Sequence, residues 1–132
     1  MMKKKSTLNQ RLILIVDDEI KMRKKYKKFL AKAGFNVVEA SDAMEASEIL
    51  MKEKSLLDLI LLDINMAEVD GRDVFEIIDE YCPSIPVIVS SVYPVSEQKF
   101  RIPRAVDYFQ KLSKEKTLLD KIRNALGLEA VK

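Results

Sequence analysis

The chain of 132 residues contains no histidine and a single cysteine. Without histidine it can build no Ser-His-Asp or Cys-His relay, no histidine-ligated zinc site and no phosphohistidine of its own. Cys82 has no partner for an intrachain disulfide. It stands before Pro83 at a helix end, with no histidine or cationic cluster to activate it, so it reads as an inert structural thiol. No apolar run approaches the ~20 residues of a membrane helix, and no membrane insertion is expected. The basic start, Met1 to Ser6, lacks the apolar stretch of a signal peptide. Residues 1–9 are therefore expected to form a disordered, basic, cytoplasmic N-terminus.

The length suits one domain with a real core. The net charge of +2 is too small to point to nucleic acid, and no direct nucleic-acid partner is expected. The cations are unevenly placed, however. Lys21, Arg23, Lys24, Lys25, Lys27, Lys28 and Lys32 crowd one helical segment. That segment is either a solvated helix face or a docking surface for an acidic partner.

Strand-like runs alternate with helical patterns along the chain. Arg11 to Val16 reads as the first strand, followed by a helix with Met22, Tyr26, Phe29, Leu30 and Ala33 on one stripe and Gly34 as its stop. Phe35 to Glu39 is a short second strand. Asp42 and Glu45 form a capping-box pattern ahead of a helix buried through Ala43, Ala46, Ile49 and Leu50. Leu57 to Leu62 is the most apolar strand and hence central. Asp70-Gly71 closes the next loop, and Val74, Ile77, Ile78 and Tyr81 mark the helix after it. Val87 to Ser90 is the fourth strand. Pro94 and Pro103 restrict the following segment to a short helical piece near Ser96 to Arg101 within irregular chain. Asp107 to Lys111 is the fifth strand, and Ser113 is the expected cap of a last helix carrying Leu118, Leu119, Ile122 and Leu126. Five strands alternating with five helical segments predict an α/β fold of the flavodoxin-like, doubly wound kind. Its five-stranded parallel sheet has order 2-1-3-4-5, with helices on both faces.

A parallel sheet gathers its strand ends on one edge. Asp17 and Asp18 follow the first strand, and Asp63 ends the third. Carboxylates that converge there repel one another unless a cation joins them, which predicts a hard, oxygen-liking ion such as Mg²⁺ or Mn²⁺. Ser91 and Lys111 reach the same edge from the fourth and fifth strands. Such a group suits phosphoryl transfer. A carboxylate attacks phosphorus, and a divalent ion held by Asp18, Asp63 and a backbone carbonyl near Asn65 neutralises the phosphoryl oxygens. Lys111 adds a point charge, and the Ser91 hydroxyl donates to a third oxygen.

Ile15-Val16-Asp17-Asp18-Glu19, Leu61-Leu62-Asp63-Ile64-Asn65-Met66, Pro86-Val87-Ile88-Val89-Ser90-Ser91 and Asp107-Tyr108-Phe109-Gln110-Lys111 resemble the motifs of the receiver domain of two-component response regulators. The resemblance is to the single-domain, chemotaxis-regulator-like form. It covers about residues 10 to 126, implying a receiver domain over 10–127 and a short tail over 128–132. It implies that Asp63 is the phosphoacceptor, that Asp17 and Asp18 hold Mg²⁺ together with the Asn65 carbonyl, that Ser91 is the switch hydroxyl and Lys111 the conserved-type lysine, and that Tyr108 turns inward on activation. It also implies a histidine kinase or phosphotransfer protein as phosphodonor, an unknown downstream protein target, and a homodimer as one use of the fourth-helix, fifth-strand and fifth-helix face. The domain would then be a signalling switch that catalyses only its own modification and its reversal.

Several positions depart from that pattern. Leu112 stands where the family has a cis proline; a cis bond before leucine costs about 2.5–4 kcal/mol, so a trans bond and an altered lysine loop are expected. Ala67, Val92 and Arg104 also replace usual residues. A rival reading keeps the fold as a phosphorylation-independent protein-interaction module. A small Mg²⁺-dependent phosphatase is a third reading, but Asn65 stands where such enzymes carry a proton-shuttling aspartate. With the domain filling the chain, output is expected through binding another protein or as a relay step.

Overall fold

The computed structural model describes residues 11–66 and 71–128. The N-terminal segment 1–9, Ala67, Asp70 and most of the 128–132 tail lie outside them. Strands and helices alternate: β1 (Leu12–Val16), α1 (Ile20–Lys32), β2 (Asn36–Ala40), α2 (Ala43–Glu53), β3 (Leu59–Asp63), α3 (Gly71–Tyr81), β4 (Val87–Ser91), α4 (Val95–Arg101), β5 (Asp107–Gln110) and α5 (Glu115–Ala125). All four strand pairings are parallel and the order is β2-β1-β3-β4-β5, as expected.

Both faces of the sheet are covered, which is why its central strands are apolar up to their C-terminal ends, where Asp63, Ser90 and Ser91 stand. Ile13, Ile15, Leu59, Leu61, Ile88 and Phe109 pack under Tyr26 and Leu30 of α1 and Leu118 and Ile122 of α5. Leu14, Val16, Ile60, Leu62, Val87, Val89 and Tyr108 pack on the other face against α2 and α3, including Ala46, Leu50, Val74, Phe75 and Ile78. Cys82 is buried in that second cluster.

Caps and stops follow local chemistry. Gly34 ends α1 with φ 99°, a left-handed conformation open to glycine at no steric cost. The Asp42 side chain accepts from the Glu45 N–H at 2.8 Å. Glu45 reaches back to the Ser41 N–H at 2.6 Å, one residue before the cap, so the box is displaced by one position.

Several sequence expectations change. Ile77 and Tyr81 are exposed, and Phe75 takes the inward place on α3. The short helical piece expected after β4 is present as a regular seven-residue helix, Val95–Arg101, with Pro94 at its N-cap, a position where proline's missing N–H costs nothing. Lys114, not Ser113, is the N-cap of α5, and no side chain caps that helix. The fifth strand stops at Gln110, and the third runs from Leu59 to Asp63.

Candidate functional site

The strand ends do converge. β1 hands Asp17 and Asp18 to the C-terminal edge of the sheet, and β3 ends in Asp63 beside them. One carboxylate oxygen from each of Asp17, Asp18 and Asp63 lies within 4.8 Å of the others, with Asp17 and Asp63 buried and Asp18 exposed. Lys111 arrives from the end of β5. Its Nζ lies 2.8 Å from Asp17 Oδ2 and 3.3 Å from Asp63 Oδ2. This buried ammonium between two buried carboxylates is the electrostatic centre of the site.

Backbone donors fix the carboxylates. Asp17 Oδ1 accepts from the Glu19 N–H at 2.9 Å, and Asp63 Oδ1 from the Asn65 N–H at 3.1 Å. Arg23 Nη1 donates to the Asp17 carbonyl at 2.8 Å, tying α1 to the first acidic loop. Gly71 matters for the second loop. A Cβ there would lie 2.4 Å from the Asp63 carbonyl oxygen and 2.5 Å from Ile64 Cα, so the start of α3 packs against the Asp63 backbone only because the residue is glycine.

Burial pushes the Asp63 carboxyl up to about 6; Lys111 opposes that shift, and the neighbouring Asp17 charge adds to it. Burial pulls the Lys111 ammonium down, but its bonds to Asp17 and Asp63 outweigh this and hold it above its ordinary value. The two shifts differ in cause: burial prevails at Asp63, while at Lys111 the combined negative neighbours outweigh burial.

The expected switch residues are placed differently from this cluster. Ser91 is fully buried at the end of β4. Its hydroxyl accepts from the Tyr93 N–H at 3.2 Å, and its carbonyl accepts from the Lys111 N–H at 2.7 Å. It reaches Lys111 through backbone, and its hydroxyl has no bond to the acidic group. Tyr108 is buried, and its hydroxyl donates to the Ile102 carbonyl, so the ring is inward in this structure. Asn65 joins the site through its N–H. Leu112 follows Lys111 with a trans peptide and φ 74°, a left-handed turn of the lysine loop.

Two features escaped the sequence reading. Gln98 of α4 is wholly buried, and its Nε2 donates to the Tyr93 carbonyl at 2.8 Å and the Phe109 carbonyl at 3.0 Å, tying the helix to the ends of β4 and β5. Tyr26, read as a core stripe residue, places its hydroxyl 2.9 Å from Ser90 Oγ beneath the acidic group. The Tyr26–Ser90 and Gln98–Phe109 pairings leave no local pattern, because strands of the sheet bring those residues together.

The donor set fits a hard divalent cation. It is made of carboxylate oxygens alone, with no nitrogen or sulfur ligand in the group, and two of its three members are buried where unneutralised charge is costly.

An open parallel sheet with an acidic group at its switch-point edge defines an α/β domain of the doubly wound class. The family model for the response regulator receiver domain matches residues 13–123, and the chain belongs to that family. It is 34% identical over 123 residues to protein-glutamate methylesterase/protein-glutamine glutaminase 1 of Methanosarcina mazei, covering 84% of this chain and 34% of that protein. It is 38% identical over 81 residues to the transcriptional regulatory protein ZraR of Klebsiella oxytoca, covering 61% of this chain and 18% of that one. The chain thus spans only about a fifth to a third of such curated relatives. Among solved structures it resembles the response regulator TrrA of Thermotoga maritima in complex with Mg²⁺-BeF, with a TM-score of 0.80, 26% identity, and 88% and 99% of the two chains covered. It also resembles a CheY-like receiver domain of Methanospirillum hungatei, with a TM-score of 0.80, 27% identity, and 89% and 94% covered. No helix among the described residues is long and apolar enough to cross a membrane.

Proposed function

We propose that this receiver domain is a phosphorylation switch in two-component signalling, with Asp63 as phosphoacceptor. The observation that carries the reading is Asp63 itself: a buried carboxylate at the end of the central strand, 3.3 Å from an ammonium and grouped with two further aspartates. An Asp63 oxygen attacks phosphorus, the bond from phosphorus to the donor breaks, and its electron pair leaves with the donor. Asp17, Asp18, Asp63 and the Asn65 carbonyl would hold Mg²⁺ or Mn²⁺, which supplies positive charge to the phosphoryl oxygens. The Mg²⁺-BeF complex of the Thermotoga maritima relative supports this assignment. Lys111, already bridging two carboxylates, turns to a phosphoryl oxygen as charge builds there.

Ser91 and Tyr108 are the switch pair. The Ser91 hydroxyl leaves the Tyr93 N–H for the phosphoryl group, and this shifts the balance of α4 and β5 positions. Phe100 (84% exposed) and Val106 (49% exposed) support this side as the surface read by a downstream protein or a second copy. A histidine kinase or phosphotransfer protein is the donor, and the setting is cytoplasmic. Intact-mass measurement after incubation with Mg²⁺ and acetyl phosphate tests the reading. One added phosphate, lost in Asp63→Asn, is expected. Wild-type protein that gains nothing would instead favour a phosphorylation-independent interaction module.

A further inference from the structure

Tyr26 and Ser90 are buried hydroxyls on the α1 side of the sheet, 2.9 Å apart, with no other side-chain partner among the described residues. Two hydroxyls carry two hydrogens, and the bond between them uses one. Either oxygen can be the donor in that bond; when Tyr26 donates, the serine hydrogen is free for a further acceptor. A buried hydroxyl is most stable when its hydrogen has an acceptor.

Its position supplies one. Ser90 is the register partner of Asp63 across β3 and β4, so their Cα atoms are neighbours across about 4.8 Å of parallel sheet and their side chains share a face. The Tyr26 hydroxyl feels the charges of Lys111, Asp17 and Asp63. The pair therefore forms the floor of the acidic site.

We propose that the Tyr26–Ser90 pair is a positioning element for the phosphoryl site, in which Tyr26 orients Ser90 to donate its spare hydrogen to the acyl oxygen of Asp63 once that residue is phosphorylated. The inference rests on the phosphoacceptor reading above. In the unmodified protein Lys111 satisfies Asp63 Oδ2. When Lys111 turns to the phosphoryl group, the acyl oxygen loses that partner and the serine hydrogen replaces it. Hydrolysis then proceeds by attack of a water oxygen on phosphorus. The bond between phosphorus and Asp63 breaks, its electron pair returns to the carboxylate, and the water proton leaves with inorganic phosphate. A hydrogen bond to the departing carboxylate strengthens as its charge returns, so the pair shortens the life of the modified state.

The test loads each protein with acetyl phosphate and Mg²⁺, removes the donor and follows loss of the added mass. Tyr26→Phe, Ser90→Ala and the double variant should each hold the phosphate about tenfold longer, the effect of one hydrogen bond to a charged group. Ser90→Thr, which keeps the hydroxyl, should restore the wild-type lifetime. The double variant leaves no unpaired hydroxyl, so it separates site effects from stability, which thermal melts monitor. A wild-type lifetime in the double variant and in Ser90→Ala would overturn the proposal while leaving Asp63 as phosphoacceptor. Wild-type protein that takes no phosphate would overturn both.

Discussion

Two charge clusters lie on either side of the start of α1, and they obey different rules. At the sheet edge, buried Lys111 serves two buried aspartates, an arrangement with surplus negative charge. On the outer side, Arg23, Lys24 and Lys27 share the single carboxylate of Glu39 at 3.2, 3.1 and 3.4 Å, an arrangement with surplus positive charge. Water and salt can relax the second cluster but scarcely reach the first. The buried surplus is thus a standing demand for another cation, while the surface surplus is a field that acts on approaching partners.

Breaking the buried cluster should have the largest effect. Lys111→Met strands two buried carboxylates and should cost about 3–5 kcal/mol at pH 7 in a denaturant titration. The loss should shrink toward pH 5 as Asp63 takes a proton, and added Mg²⁺ should recover part of it, since the ammonium no longer competes for the same oxygens.

Removing the surplus charge should do the reverse. The Asp63 carboxyl titrates at about 6 in the folded chain against an ordinary 3.8, so the folded state binds more protons between those values. Its stability therefore falls as pH rises through that window. Asp63→Asn should escape this loss and be more stable than wild type at pH 7 by on the order of 1–3 kcal/mol. The two proteins should converge below about pH 4, where Asp63 is protonated in both the folded and unfolded states.

The surface cluster should show itself in rates. Reversing Lys24 and Lys28 to glutamate should slow phosphorylation by a protein donor about tenfold and steeply with falling salt, leaving acetyl phosphate reactivity unchanged. Equal slowing with both donors would mean that α1 acts on the site and not on the partner. Glu39→Gln should have the smallest effect, a loss of about 1 kcal/mol or less that fades in high salt. Burial works against the Glu39 charge, but hydrogen bonds from Lys24, Lys27 and Arg23 hold its carboxyl below the ordinary range. That small contribution should be present above about pH 4.5 and vanish as pH falls through the lowered value.

The contrast also explains what the sequence made legible. The strands could be read because burial on both faces imposes continuous apolar runs, as in Leu59-Ile60-Leu61-Leu62. Their order, and with it the meeting of Asp17, Asp18, Asp63 and Lys111, came with the flavodoxin-like fold that the alternation with helices suggested. Ile77 and Tyr81 misled because helical spacing marks a stripe, not its centre, and Phe75 lies nearer the centre. The α4 helix was legible because its prolines bound it, Pro94 at the N-cap and Pro103 beyond the end. The hydroxyl of Tyr26 and the amide of Gln98 were invisible because their partners, Ser90 and the Phe109 carbonyl, are distant in sequence. Leu112 was flagged as a departure, but its φ of 74° depends on the lysine loop as a whole.

The most direct test of Asp63 as phosphoacceptor is chemical mapping. Borohydride reduces an aspartyl phosphate to homoserine, and peptide sequencing by mass spectrometry after treatment with acetyl phosphate and Mg²⁺ locates it. Homoserine at position 63 alone, dependent on the divalent ion, is the predicted result. Homoserine at 17 or 18, or none at all in folded protein, would contradict the account.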